Sequence, residues 1–170
     1  MPERPILIAY DGSEDAKSAI TRAGELLTSA PALVVTAWPA AERSVGTSGG
    51  VIATYSPIFG EIDELERTNA RATAEEGAAL ARQAGFDASP LVVRSSDRNV
   101  WHAILDLGAE HDARAIVLGS RGQGGLTDVL LGSVPGRVVH HADRPVLVVR
   151  AKRSSKRRRS AALVSAPREE

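Results

Sequence analysis

The sequence predicts a doubly wound α/β domain, with a five-stranded parallel sheet and helices on both faces. Two observations carry that prediction. Short runs such as "PILIAY" at 5–10 are continuously apolar, the pattern of strands buried on both faces rather than on one. Between such runs lie longer stretches with apolar residues at helical spacing, so strand and helix patterns alternate along the chain. That alternation leads to a parallel sheet with right-handed crossovers, because each helix returns the chain to the same end of the sheet.

The run at 5–10 is strand one. Ser13 can cap the helix that follows, Glu14 and Asp15 favour the positive end of its dipole, and Ala16, Ile20, Ala23 and Leu27 fall on one face. "ALVVTAW" at 32–38 is strand two. Residues 39–60 hold no sustained period and carry Gly, Ser and Pro, which predicts a long connection or flap. A second helix is expected from about Glu61 to Gln83, with a face made mostly of alanine and Gly85 as its stop. "ASPLVVRSS" supplies strand three, residues near Val100 to His111 supply helix three, and "ARAIVLGS" supplies strand four. "SVPGRVVHHA" is a short helix and "RPVLVVR" is strand five.

Composition bounds what this domain can do. A chain of 170 residues suits one ordinary domain, and with aromatics at 4% its core must be Val, Leu, Ile and Ala. The absence of cysteine excludes a disulfide framework, a thiol nucleophile and any Cys-ligated metal site, and fits a reducing compartment. The only apolar run near the start is too short for a signal peptide, and no run reaches membrane-spanning length, so a cytoplasmic location is expected. The formal net charge of zero divides unevenly. Residues 1–150 carry 14 Lys+Arg against 19 Asp+Glu, whereas residues 151–170 carry 7 against 2. The expected organisation is a folded domain over 1–150 and a basic, disordered tail over 151–170. The tail's Lys152, Arg153, Lys156 and Arg157 to Arg159 could attract nucleic acid or an anionic surface weakly, without aromatics for base stacking. A solvated appendage, or one held by the acidic body, is the plainer alternative.

The stretch "LGSRGQGGLTDVLLGSV" at 118–134 holds five glycines in seventeen positions, directly after strand four. Glycine there permits positive φ and lets backbone N–H groups approach an anion with no Cβ in the way. Gly119 and Gly122 would form a phosphate cradle. Gly132 and Ser133 would stand at the start of the next helix, where free N–H groups and the dipole also favour phosphate. A flexible turn followed by an ordinary helix cap is the bland alternative. No Gly-Lys-Ser/Thr occurs and the turn after strand one has only Gly12, so neither a P-loop nor a dinucleotide fingerprint fits.

The spacing Gly119, two residues, Gly122, nine residues, Gly132-Ser133 resembles the ATP-binding signature of universal stress proteins. With "AYDGS" at the end of strand one, the element order and the closing "RPVLVVR", the resemblance spans roughly residues 4–150. It implies an adenine nucleotide α-hydrolase-like fold with strand order 3-2-1-4-5, and ATP as ligand, with Mg2+ as a candidate companion. It also implies that Asp11 contacts the ribose and nearby base, that Ala9 and Ala37 line the adenine pocket, and that Gly119, Gly122, Gly132, Ser133 and Val134 hold ribose and phosphates. Arg121 is a further candidate phosphate contact. Two departures stand out. The family often shows Leu-His-Val at the end of strand two, where this chain has Val35-Thr36-Ala37, which loosens adenine packing; and Pro135 removes one N–H near the helix start. The resemblance implies a homodimer through strand 145–150, an apolar edge whose unpaired backbone groups invite another strand.

Phosphoryl transfer needs metal positioning, an oriented nucleophile and charge stabilisation, and only the phosphate cradle is visible. Adjacent His140 and His141, near Asp143, point to different sides of a helix, so no metal site and no catalytic residue is assigned. The expected function is that of an ATP-binding regulator in stress response, acting on an unidentified protein partner, with at most slow hydrolysis. A nucleotide-independent scaffold acting through its dimer surface and tail, and a slow ATP hydrolase, stay open as alternatives.

Overall fold

The computed structural model describes residues 3–27, 30–39, 57–95, 99–123 and 131–151. Most of the expected flap, Gly124 and Gly125, and the tail from Lys152 onward lie outside the described residues. The chain runs β1 (Ile6–Ala9), α1 (Glu14–Leu26), β2 (Pro31–Pro39), α2 (Pro57–Gln83), β3 (Asp87–Ser95), α3 (Val100–Glu110), β4 (Ala115–Gly119), α4 (Ser133–His141) and β5 (Val146–Val149). All four strand pairings are parallel and the order is β3-β2-β1-β4-β5. The order implied by the resemblance is therefore the order observed. Among the described residues, no helix is long and apolar enough to cross a membrane.

Because strand side chains alternate in direction, each apolar run feeds two cores. Ile6, Ile8 and Tyr10 pack with Ala16, Ile20, Ala78 and Ala81 of α1 and α2. On the other face, Leu7 packs with Ile104 and Leu107 of α3 and Val138 of α4. The alanine face of α2, at Ala70, Ala74, Ala78 and Ala81, lets that helix lie close to the sheet. At Gly77 the approach is so close that a Cβ would stand 2.6 Å from the Tyr10 ring. Tyr10 completes the contact by donating its hydroxyl to Glu76 Oε1 at 2.9 Å, and burial together with the Glu76 carboxylate pushes its pKa above the ordinary range.

The start of α2 differs from expectation, whereas Pro90 lies within the expected third strand. Helix α2 opens at Pro57 rather than near Glu61, since a proline in the first helical turn loses no intrahelical bond and brings a helical φ. Strand β3 contains Pro90, opposite Val34 of β2, a placement allowed because β3 lies at the sheet edge. The folded body also reaches one residue past Arg150: the Ala151 N–H donates to Asp15 Oδ1 at 3.2 Å.

Candidate functional site

In this order β1 lies between β2 and β4, so the winding direction reverses at the carboxyl end of β1, the place where such sheets leave a crevice. A cavity of about 670 Å³ opens there. Ala9, Val35, Ala37 and Leu118 contribute its sheet side, Val100 and Ile104 of α3 one wall, and Val134 and Pro135 of α4 another. Nine residues singled out from the sequence line this one space: Ala9, Asp11, Ala37, Gly119, Arg121, Gly122, Gly132, Ser133 and Val134. The apolar wall from Val100 and Ile104 was not read as part of the site. Its only trace in the sequence is a pair of apolar residues one turn apart at the start of α3.

The turn after β1 is built around Asp11. Gly12 takes φ +80°, a conformation that L side chains rarely adopt, and this turns the chain so that Asp11 Oδ1 accepts the Ser13 N–H at 3.0 Å. Ser13 then caps α1 by accepting the Ala16 N–H at 3.2 Å and donates its hydroxyl to the Arg121 carbonyl at 3.3 Å. The second oxygen of Asp11 accepts the Gln123 N–H at 3.1 Å, and the Gln123 side-chain amide donates to the Asp11 carbonyl. Strand one and the glycine loop after β4 are thus tied through Asp11.

Gly119 and Gly122 do not use the positive φ that glycine permits. Among the described residues only Gly12 and Gly85 are positive-φ glycines, so Gly119 and Gly122 are needed for space. A Cβ on Gly119 would stand 2.7 Å from the Asp15 carbonyl carbon, and one on Gly122 would stand 2.6 Å from Asp11 Oδ2. At the other side of the cavity Gly132 is the N-cap of α4, without a side-chain cap bond, and its own N–H is held by the Ser120 carbonyl at 2.8 Å. Ser133 is the first helical residue rather than the cap. The first-turn N–H groups of Ser133 and Val134, with the dipole behind them, form a surface suited to an anion. Pro135 lacks an N–H at a position where α-helices make no intrahelical bond with it.

Asp15 was read as an ordinary first-turn acid; the structure gives it another place. Its side chain is only 7% exposed. Oδ2 accepts Ser120 Oγ at 2.7 Å and Arg121 Nε at 3.1 Å, while Oδ1 accepts Arg121 Nη2 at 3.3 Å and the Ala151 N–H. Burial by itself would raise the pKa of this carboxyl. The hydrogen bonds from Ser120, Arg121 and Ala151, with the Arg121 charge, outweigh burial and hold it below the usual carboxylate value. The Arg121 guanidinium, a candidate phosphate contact by sequence, is therefore paired with Asp15.

The His140 and His141 rings meet edge to face, with centroids 4.8 Å apart rather than on different sides of the helix, and His141 also stacks on Trp101 of α3 at 4.9 Å. Among the described residues no group of three or more His, Cys, Asp or Glu is placed to hold a metal ion.

The class these features define is a doubly wound α/β protein with a glycine-edged cavity at the switch point of its parallel sheet. The profile of the universal stress protein family matches residues 3–150, and the chain belongs to that family. A universal stress protein of Thermus aquaticus is 33% identical over 149 residues, covering 86% of this chain and 98% of the relative. The chain spans about half the length, 48%, of a universal stress protein of Mycolicibacterium smegmatis to which it is 29% identical over 156 residues. Among solved structures, UspA of Lactobacillus plantarum superposes with a TM-score of 0.66 at 21% identity, covering 88% of this chain and 99% of that one. A universal stress protein in complex with cAMP superposes with a TM-score of 0.57 at 24% identity, covering 89% of this chain and 100% of that one. At these identities the solved structures speak for the fold.

Proposed function

We propose that the cavity binds ATP and that the protein acts as a nucleotide-dependent regulator in stress response. One observation carries the reading: two glycine-bearing backbone segments, Gly119 to Gly122 and Gly132 to Val134, border a single apolar cavity. The adenine would lie against Ala9, Val35, Ala37 and Ile104, with the ribose at Asp11 and the phosphates between the glycine loop and the start of α4. Backbone N–H groups, the Ser133 hydroxyl and the α4 dipole would then hold the phosphates. Asp11 is the single carboxylate among the described lining residues, and it already accepts two backbone N–H groups. That favours a hydrogen-bonding role toward the ribose, with Mg2+ carried mainly by the phosphates themselves.

This lining favours binding over rapid turnover. We place the protein in the cytoplasm, as a homodimer paired through the edge strand at 145–150, with the tail as a weak anionic-surface contact and a protein partner receiving the signal. The deciding experiment is to denature the freshly purified protein and identify any nucleotide released. An adenine nucleotide at near-stoichiometric yield supports the reading. No released nucleotide, together with no heat on titration of ATP at millimolar concentration, overturns it and favours the nucleotide-independent scaffold.

A further inference from the structure

Arg121 is the only cation among the described residues that line the cavity, and so the natural partner for a chain of phosphates. Its charge is already engaged. Two guanidinium nitrogens meet the two oxygens of Asp15 at 3.1 and 3.3 Å, in a pair whose side chains are 16% and 7% exposed. A two-point guanidinium–carboxylate pair shielded from water is strong and directional. Asp15 cannot follow Arg121 toward a ligand, because Ser120 Oγ and the Ala151 N–H hold it from the ends of β4 and β5. If Arg121 swung out alone, it would leave a buried carboxylate without its counter-charge, an outcome that strongly disfavours the move.

We infer that Asp15 is a specificity-determining residue that withholds Arg121 from the phosphates. Phosphate recognition is then left to backbone N–H groups and the Ser133 hydroxyl, and the preference for a longer phosphate chain is kept small. The inference rests on the nucleotide reading of the cavity. It also gives Gly119 a second reason to be glycine, since a side chain there would displace Asp15 from the position in which it holds Arg121.

The test is calorimetry with ATP and with AMP, at one fixed Mg2+ concentration, on the full chain and on Arg121→Gln, Asp15→Asn and the double variant. Arg121→Gln is expected to weaken both ligands together, with the ATP-to-AMP affinity ratio staying within about twofold of the original. Asp15→Asn is expected to raise that ratio on the order of tenfold, by freeing a charged donor for the phosphates. The double variant is expected to return it to the original value. A ratio unmoved in Asp15→Asn makes Asp15 merely structural and overturns the inference. A tenfold or greater loss of ATP affinity in Arg121→Gln, with AMP unaffected, overturns it too, because the guanidinium then reaches the phosphates despite Asp15. If Asp15→Asn does not fold, Arg121→Gln decides between those outcomes by itself. Failure of the unaltered protein to bind either nucleotide shows in the first titration, and removes the nucleotide reading and this inference together.

Discussion

A side-chain carbon on Gly122 would lie 2.6 Å from Oδ2 of Asp11, so the loop after β4 and the end of β1 touch where only glycine fits. The same Asp11 oxygen accepts the Gln123 N–H at 3.1 Å, and the contact therefore sets the height of the loop over the cavity.

Gly122→Val is expected to abolish measurable ATP binding while the domain still unfolds cooperatively. The valine must push Asp11 aside or lift the loop, and either movement fills or distorts the phosphate side. Gly122 belongs to neither apolar core, so the fold keeps its main support. Calorimetry paired with a thermal melt checks this, and an unchanged ATP affinity would sink the nucleotide reading.

Asp11→Ala is expected to weaken ATP and AMP alike, by about tenfold, if the carboxylate holds the ribose. Part of that loss comes from freeing the Gln123 N–H and loosening the loop. A loss confined to ATP in the presence of Mg2+ would instead assign Asp11 to the metal, and parallel titrations of the two nucleotides separate the cases.

Asp15 should shape the acid limb of the stability profile. Its folded pKa is depressed, so the unfolded chain binds its proton more readily and stability falls as pH falls. The contribution is fully present above the ordinary value of about 3.9 and is lost as pH drops through the lower folded value. Asp15→Asn is expected to be less stable at neutral pH and to show a flatter decline below pH about 4. Urea unfolding at a series of pH values checks it. Parallel acid limbs in the two proteins would contradict it.

The outer edge of β5 can be tested without disturbing its pairing to β4. The carbonyls of Pro145 and Val149 accept N–H groups from Ile116 and Ser120. By strand alternation the backbone of Val148 faces the free edge. Val148→Pro is therefore expected to convert a sedimenting dimer to a monomer at micromolar concentration, with the fold retained. A protein already monomeric there removes the dimer proposal.

Removal of the basic tail is expected to be neutral for fold and ATP binding when it starts at Lys152, and costly to thermal stability when it also takes Ala151. The reason is the Ala151 N–H held by Asp15. Loss of low-salt binding to RNA, DNA or anionic vesicles on removal from Lys152 would support the tail's surface role, and unchanged binding would end it.

The apolar runs determined the strands because Ile6, Leu7 and Ile8 must bury neighbouring side chains on opposite faces, which only a covered parallel sheet allows. Helix periodicity and Ser13 located α1, and the glycine spacing marked the cavity before any contact was known. Strand order came through the resemblance, since local pattern carries no record of which strands become neighbours. The start of α2 was missed because Pro57 and Gly60 read locally as loop residues, although a first helical turn tolerates both. Tertiary structure decided the rest. Asp15 has the sequence signature of any first-turn acid, and becomes a buried hub only because the ends of β4 and β5 arrive beside it. Gly119 and Gly122 were legible as necessary glycines, but the reason for them, the closeness of Asp15 and Asp11, arises between segments about a hundred residues apart, where long-range packing and not local backbone preference sets the distance.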